Sequence, residues 1–281
     1  MREEPFQLPI DDGVLHGYAD GDGDLPALLL HGGPAVADYM RDCAEELSPV
    51  FSMVRYTQRG TPPSTVVPPY TIESHLEDAL ALLDAFELER VWAIGHSWGA
   101  HLALHLAVTN PERLLGIVCI DPLGAYGEIF GEFGANLRRG LTPEQGARID
   151  VIEDARRTGT VTEADLVERF ELIWPRFFAQ PDTAPPSPLG RVGVQCSADT
   201  NRSIAEHFQR GTLAEGLPAL RLPALFVHGL EDPLPLRTSS ETAALIPGAV
   251  VETIPDCGHF PWWERPGEVR LAVERFLSAA G

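Results

Sequence analysis

Ser97 is the residue of this chain best placed to act as a nucleophile. It sits in Gly95-His96-Ser97-Trp98-Gly99, after the apolar run Val91-Trp92-Ala93-Ile94 and before Ala100-His101-Leu102-Ala103-Leu104-His105-Leu106-Ala107. An apolar run, a Gly-x-Ser-x-Gly turn and a helix-like run predict strand, sharp turn and helix, with the hydroxyl raised above a sheet edge. Glycine on both sides suits a crossing too close for a Cβ. A helix starting just after Ser97 aims free N–H groups and its positive end at the site, which suits a developing oxyanion. Gly-rich turns of the same spelling are common, and the flanking strand and helix are what set this one apart.

A serine hydroxyl attacks only when a base takes its proton. His259, in Asp256-Cys257-Gly258-His259-Phe260-Pro261, follows the last predicted strand and precedes the final helix, so its side chain can reach back over the sheet edge. His96 lies in the turn with its ring directed away from the hydroxyl, and His228 ends a strand and supports the next loop. His75, His101, His105 and His207 read as helix-face residues. The base in turn needs an acid to hold its tautomer. Asp232, in Gly229-Leu230-Glu231-Asp232-Pro233, follows the strand ending at His228, with Glu231 and Asp121 as rivals. The resulting chain order, Ser97, Asp232, His259, is the one that goes with a strand-turn-helix nucleophile. Two backbone N–H groups should meet the oxyanion. Trp98 supplies one; Gly33, in His31-Gly32-Gly33-Pro34, supplies the other, because Pro34 has no N–H.

These groups need a scaffold that brings four strand ends together. Apolar segments at 14–19, 27–30, 52–56, 91–94, 115–120, 224–228 and 250–254 alternate with helical segments at 36–47, 72–86, 98–110, 239–246 and 267–279. The alternation predicts an α/β fold: a mostly parallel central sheet flanked by helices on both faces. Between 122 and 222 the alternation stops. That stretch reads as helical at 143–157, 163–179 and 202–213, with a proline-rich loop at 181–188. We therefore expect a core formed by residues 1–121 and 222–281, and a helical cap, residues 122–221, inserted over the carboxyl edge of the sheet.

Composition narrows the partners. The 281 residues are 44% hydrophobic, which suits a full globular core. A net charge of -20, from 41 acidic and 21 basic residues, repels nucleic acid and anionic membrane surfaces. The charged amino terminus does not resemble a signal peptide, and no apolar run approaches a membrane span. Cys43, Cys119, Cys196 and Cys257 are scattered without a Cys-x-x-Cys pair, so zinc and redox readings are weak and a cytoplasmic location with free thiols is expected.

Taken together, His31-Gly32-Gly33-Pro34, Gln58-Arg59-Gly60, Gly95-His96-Ser97-Trp98-Gly99, Asp232 and Gly258-His259 resemble the α/β-hydrolase fold, and within it the prolyl aminopeptidase (proline iminopeptidase) family. The resemblance spans most of the chain outside the cap. It implies a serine peptidase that releases amino-terminal proline without metal or cofactor, using a cap glutamate to hold the substrate's free amine. Glu206, in Ile204-Ala205-Glu206-His207-Phe208, stands in a similar stretch. Three positions depart from the family pattern: Ala35 where glycine is frequent, Thr57 where aspartate is usual, and His96 where glycine is frequent. They leave the triad intact and bear on proline specificity. The expected function is a Ser-His-Asp hydrolase that cleaves an ester or amide of a small molecule or short peptide through an acyl-enzyme. The alternatives are a carboxylesterase, a lactonase or biosynthetic tailoring hydrolase, or a non-catalytic ligand-binding protein on the same fold.

Overall fold

A computed structural model describes residues 3–280. Eight strands form one sheet: β1 (Glu4–Ile10), β2 (Gly13–Asp20), β3 (Leu25–Leu30), β4 (Phe51–Thr57), β5 (Val91–His96), β6 (Leu114–Ile120), β7 (Ala224–Gly229) and β8 (Val250–Ile254), in the order β1-β2-β4-β3-β5-β6-β7-β8. The β1/β2 and β2/β4 pairs are antiparallel and all others parallel. The α/β architecture expected from the sequence is the one found. β5 and β7 are buried along their whole length and β3 along its last four residues, as expected of apolar runs covered on both faces.

Successive side chains of a strand point to opposite faces. Thus Leu28 and Leu30 join one core cluster, under α2 (Ile72–Ala85) and α3 (Trp98–Thr109). Ala27 and Leu29 join the other, under α1 (Arg41–Leu47) and the last helices. Between β6 and β7 the chain forms α4 (Ile129–Arg138), α5 (Pro143–Thr158), α6 (Glu163–Ile173), α7 (Val194–Arg210) and α8 (Thr212–Gly216). After β7 come α9 (Arg237–Ala243), α10 (Pro261–Glu264) and α11 (Glu268–Ala280). All four cysteines are free and buried. Among the described residues no helix is long and apolar enough to cross a membrane.

The differences from the sequence reading have local causes. β1 went unforeseen because it is an edge strand, alternately exposed, carrying Pro5 and Pro9 where an unpaired side tolerates them. α1 begins at Arg41 instead of residue 36, because the Asp38 carboxylate accepts the Met40 N–H at 2.9 Å and turns the chain just before it. α4 contains Gly131 and Gly134, which weaken any helical signal. α7 starts at Val194 rather than 202, and its buried face uses Cys196, Ser197, Thr200, Ser203 and Ile204, of which all but the last, near its end, are small side chains and give little apolar signal.

Candidate active site

Ser97 caps β5 with φ 54° and ψ -117°, a backbone that costs a non-glycine residue about 1–3 kcal/mol. Its N–H donates to the Ile120 carbonyl at 2.9 Å and its carbonyl accepts the His101 N–H at 3.2 Å, so the strained residue is pinned from both sides. The neighbouring glycines are steric necessities. A Cβ on Gly95 would lie 2.3 Å from the Gly99 carbonyl oxygen, and one on Gly99 2.1 Å from that of Leu30. A Cβ on Gly32 would press to 2.8 Å from the Ser97 Cβ. Ser97 Oγ makes no hydrogen bond to a described residue and lines a cavity with His259.

His259 and Asp232 meet behind it. His259 Nδ1 lies 2.7 Å from Asp232 Oδ2, and both residues are buried. A carboxylate only accepts, so the proton sits on Nδ1 and the lone pair on Nε2. Burial pushes the His259 imidazole below its usual 6.5, keeping it neutral and ready to accept a proton. The Leu234 N–H donates to Asp232 Oδ1 at 2.8 Å, and the His259 N–H donates to the Phe177 carbonyl at 2.7 Å. Of the rival acids, Glu231 is exposed, and Asp121 is buried with its carboxyl facing that of Asp232. His228 does support the following loop: Nε2 donates to the Leu234 carbonyl at 3.1 Å, and the Ser239 hydroxyl donates to Nδ1 at 2.9 Å.

The loop after β3 supplies the opposite side. Gly33 takes φ 60°, and Gly33 and Trp98 both line the cavity. The loop is braced by two chains of hydrogen bonds. In one, the Trp98 indole donates to Gln58 Oε1 at 2.8 Å, Gln58 Nε2 donates to the His31 carbonyl at 2.9 Å, and the Gln58 N–H donates to His31 Nε2 at 3.0 Å. In the other, the Gly32 N–H donates to the Tyr39 hydroxyl at 2.9 Å, that hydroxyl donates to His96 Nδ1 at 2.6 Å, and His96 Nε2 donates to the His259 carbonyl at 2.7 Å. Arg59 pairs bidentately with buried Asp78, both bonds 2.7 Å, and so anchors the Gln58-Arg59-Gly60 turn. Two buried groups, His96 with Asp121 and His259, and Asp121 with His228 and Asp232, bring potential ligand atoms within 4.8 Å of one another. Their ring nitrogens are engaged as above, except His259 Nε2.

The inserted helices wall a cavity of about 460 Å³. Most of the wall is apolar, including Phe133, Leu137, Phe170, Ile173, Trp174 and Phe177. Four charged residues that the sequence reading did not single out also face it: Arg138, Glu153, Arg156 and Arg169. Arg169 Nε donates to Glu153 Oε1 at 2.5 Å, and Arg156 Nη1 donates to Glu153 Oε2 at 2.9 Å. Burial raises Glu153, but Arg169 and Arg156 outweigh it and hold the carboxyl below its usual range. The two terminal nitrogens of Arg169 donate to no described group. A signal existed: Leu166, Arg169, Phe170 and Ile173 share one helix stripe, so an arginine interrupts an apolar face.

Glu206 requires a correction. The structure places it on the exposed side of α7, paired with Arg210 at 3.3 Å, and not on the cavity. The residues of α7 that line the cavity are Ser197, Asn201 and Ile204, and five residues beyond Asn201 the helix has turned about 140° away.

The family pattern of the alpha/beta hydrolase fold matches residues 26–266. A 2-hydroxymuconate semialdehyde hydrolase of Pseudomonas putida is 27% identical over 277 residues, 95% of this chain and 90% of that protein. A proline iminopeptidase of Heyndrickxia coagulans is 20% identical over 275 residues, 93% of each, so the narrower likeness drawn from the motifs is a distant one. Among solved structures, a 2-hydroxy-6-oxo-6-phenylhexa-2,4-dienoate hydrolase from a Rhodococcus superposes with a TM-score of 0.72 at 21% identity, covering 99% of both chains.

Proposed function

This chain belongs to the alpha/beta hydrolase fold family, and on that premise we propose that it is a serine hydrolase whose triad is Ser97, His259 and Asp232. The observation that carries the reading is the buried 2.7 Å pair of His259 and Asp232, facing a cavity that it shares with strained Ser97. In this mechanism His259 Nε2 takes the Ser97 Oγ proton as Oγ adds to a substrate carbonyl. The Gly33 and Trp98 N–H groups hold the oxyanion, Asp232 balances the imidazolium, and the same proton leaves with the alcohol or amine. Water then attacks the acyl-enzyme by the reverse use of His259.

The substrate reading is a small, largely apolar acyl compound that carries a carboxylate. Its support is Arg169, whose two unengaged terminal nitrogens stand in an apolar wall beside Arg156 and Arg138, with Glu153 as the cavity's own counter-charge. A guanidinium fork with two free donors matches a carboxylate bidentately. The Pseudomonas relative, named for a muconate, is consistent with an anionic substrate. Release of amino-terminal proline has less support, because a substrate amine would need a free carboxylate in the cavity. Glu153 is already held by two arginines and Glu206 lies outside. Residues 122–221 then serve as the cap that selects the substrate.

A fluorophosphonate is expected to label Ser97, and turnover should rank a carboxylate-bearing aryl ester above its neutral methyl ester and both above a proline arylamide. The variant Ser97→Ala should lose roughly ten-thousand-fold in rate. Hydrolysis retained by that variant would sink the triad; a proline arylamide turned over fastest would sink the substrate reading alone.

A further inference from the structure

Asp121 follows β6 directly and is fully buried, and its role is unaccounted for by the triad. Its Oδ1 accepts the Gly229 N–H at 2.9 Å, but its Oδ2 has no hydrogen-bond donor in the protein. A carboxylate oxygen buried without a donor is expensive. The surroundings offer no cation to relieve it. From the β7 loop come the Asp232 carboxyl and His228, whose Nδ1 is 3.5 Å from Oδ1 but is occupied by the Ser239 hydroxyl and carries no proton. From the β8 loop and α10 come neutral His259, the Cys257 thiol and the Glu264 carboxyl, the last already held by the Gly258 and Ala179 N–H groups. From the elbow comes His96, whose Nε2–H is spent on the His259 carbonyl. Every charged neighbour is therefore an acid.

We propose that Asp121 is a positioning residue of the triad: it stays a neutral carboxylic acid and donates its Oδ2–H to Asp232. The orphaned oxygen then becomes a donor, and the two facing carboxyl groups share one negative charge. Burial first, and then the nearby Asp232, push Asp121 far above the ordinary carboxyl range, in the same sense. Asp232 thereby accepts three donors: the Leu234 N–H, His259 Nδ1–H and the Asp121 hydroxyl. They fix its rotamer and spread its charge, so the Nδ1 proton stays on the imidazole when His259 becomes an imidazolium. No bond other than this hydrogen bond forms or breaks, and the proton on Asp121 is a resident one.

The proposal rests on reading Asp232 and His259 as the triad's charge pair, and its test has a readout that needs no substrate. An infrared difference spectrum between the wild-type chain and Asp121→Asn at pH 7.5 should show the C=O stretch of one protonated carboxyl, lost in the variant. Absence of that band overturns the proposal. Asparagine keeps an N–H donor toward Asp232 and an acceptor for the Gly229 N–H, whereas leucine has neither. The rate of fluorophosphonate labelling of Ser97 should accordingly stay within about threefold of wild type in Asp121→Asn and fall about 10- to 100-fold in Asp121→Leu. Equal labelling of the two variants overturns it as well. Circular dichroism reports whether the leucine variant folds, and if it does not, the infrared band alone decides. Failure to label Ser97 in the wild-type chain would count against the triad, while the band would still report on Asp121.

Discussion

Ser97, Gly33, Asp232 and His259 leave the ends of four parallel strands, whereas Arg138, Glu153, Arg156 and Arg169 stand on three helices that interrupt the strand pattern. The first group is fixed by backbone. Glycines leave no room for a Cβ, amides donate into carbonyls, and the neighbouring His96 imidazole is clamped at both nitrogens. The second group is fixed by side chains, a carboxylate held between guanidinium groups on an otherwise apolar wall. The two also answer pH differently. Of the nine histidines, seven are buried, and all seven belong to the sheet, its loops or the helices packed on it. The charged wall holds three arginines, which do not titrate in any workable range, and Glu153, whose carboxyl two of them hold below its usual range. The floor is held within tight steric limits by backbone, and the wall by contacts between side chains.

The largest break in this contrast should come from adding one carbon to the floor. Gly99→Ala places a Cβ 2.1 Å from the Leu30 carbonyl oxygen, a backbone atom that cannot swing aside. Fluorophosphonate labelling should be abolished and the melting temperature should drop, whereas an alanine at Gly146, whose Cβ would meet nothing within 4 Å, should change neither.

Acid should come next. His31, His75, His96, His101, His105, His228 and His259 are all pushed down by burial, His75 to about 3 and His101 and His228 to about 4. The unfolded chain takes up these protons below pH 6.5 and the folded chain does not, so stability is complete above that pH and falls as pH drops from 6.5 towards 4. Asp121, Asp232, Asp20, Asp78 and Glu264, raised by burial, act in the opposite sense but are fewer. The net loss should be on the order of a few kcal/mol per pH unit, seen as a falling melting temperature between pH 7 and pH 5.

A change in the wall should be smaller and selective. Arg169→Leu should raise KM about 10- to 100-fold for a carboxylate-bearing ester and leave its neutral methyl ester within about threefold. A uniform loss for both esters would merge wall and floor into one unit. The smallest effect is expected at Glu206→Ala, which removes an exposed ion pair and should leave turnover within about twofold and stability within about 0.5 kcal/mol.

The same contrast decides what could be read from sequence. Gly95, Gly99 and Gly33 announce themselves because backbone constraints are written as residue types, and Asp232 and His259 because each must follow a strand. α4 and the first turns of α7 escaped, the one through its glycines and the other through a small polar buried face whose partners lie far away in the chain, such as the Ile72 N–H that donates to Ser203 Oγ. Glu206 was assigned by likeness of its surrounding stretch, and only the phase of a helix with a later start shows that it faces outward. Arg169 was legible in principle, as the one charge within an apolar stripe, but what it faces depends on how four helices meet.

The bonds that run from the Gly32 amide through Tyr39 and His96 to the His259 carbonyl all point the same way. Each hydroxyl or ring in that run gives on one side and receives on the other. No member can be reversed alone, and each bond polarises the next. The loop after β3 and the loop after β8 are thereby strapped into one piece, although 227 positions of chain separate Gly32 from His259. The inserted helices that wall the cavity lie outside this run of bonds.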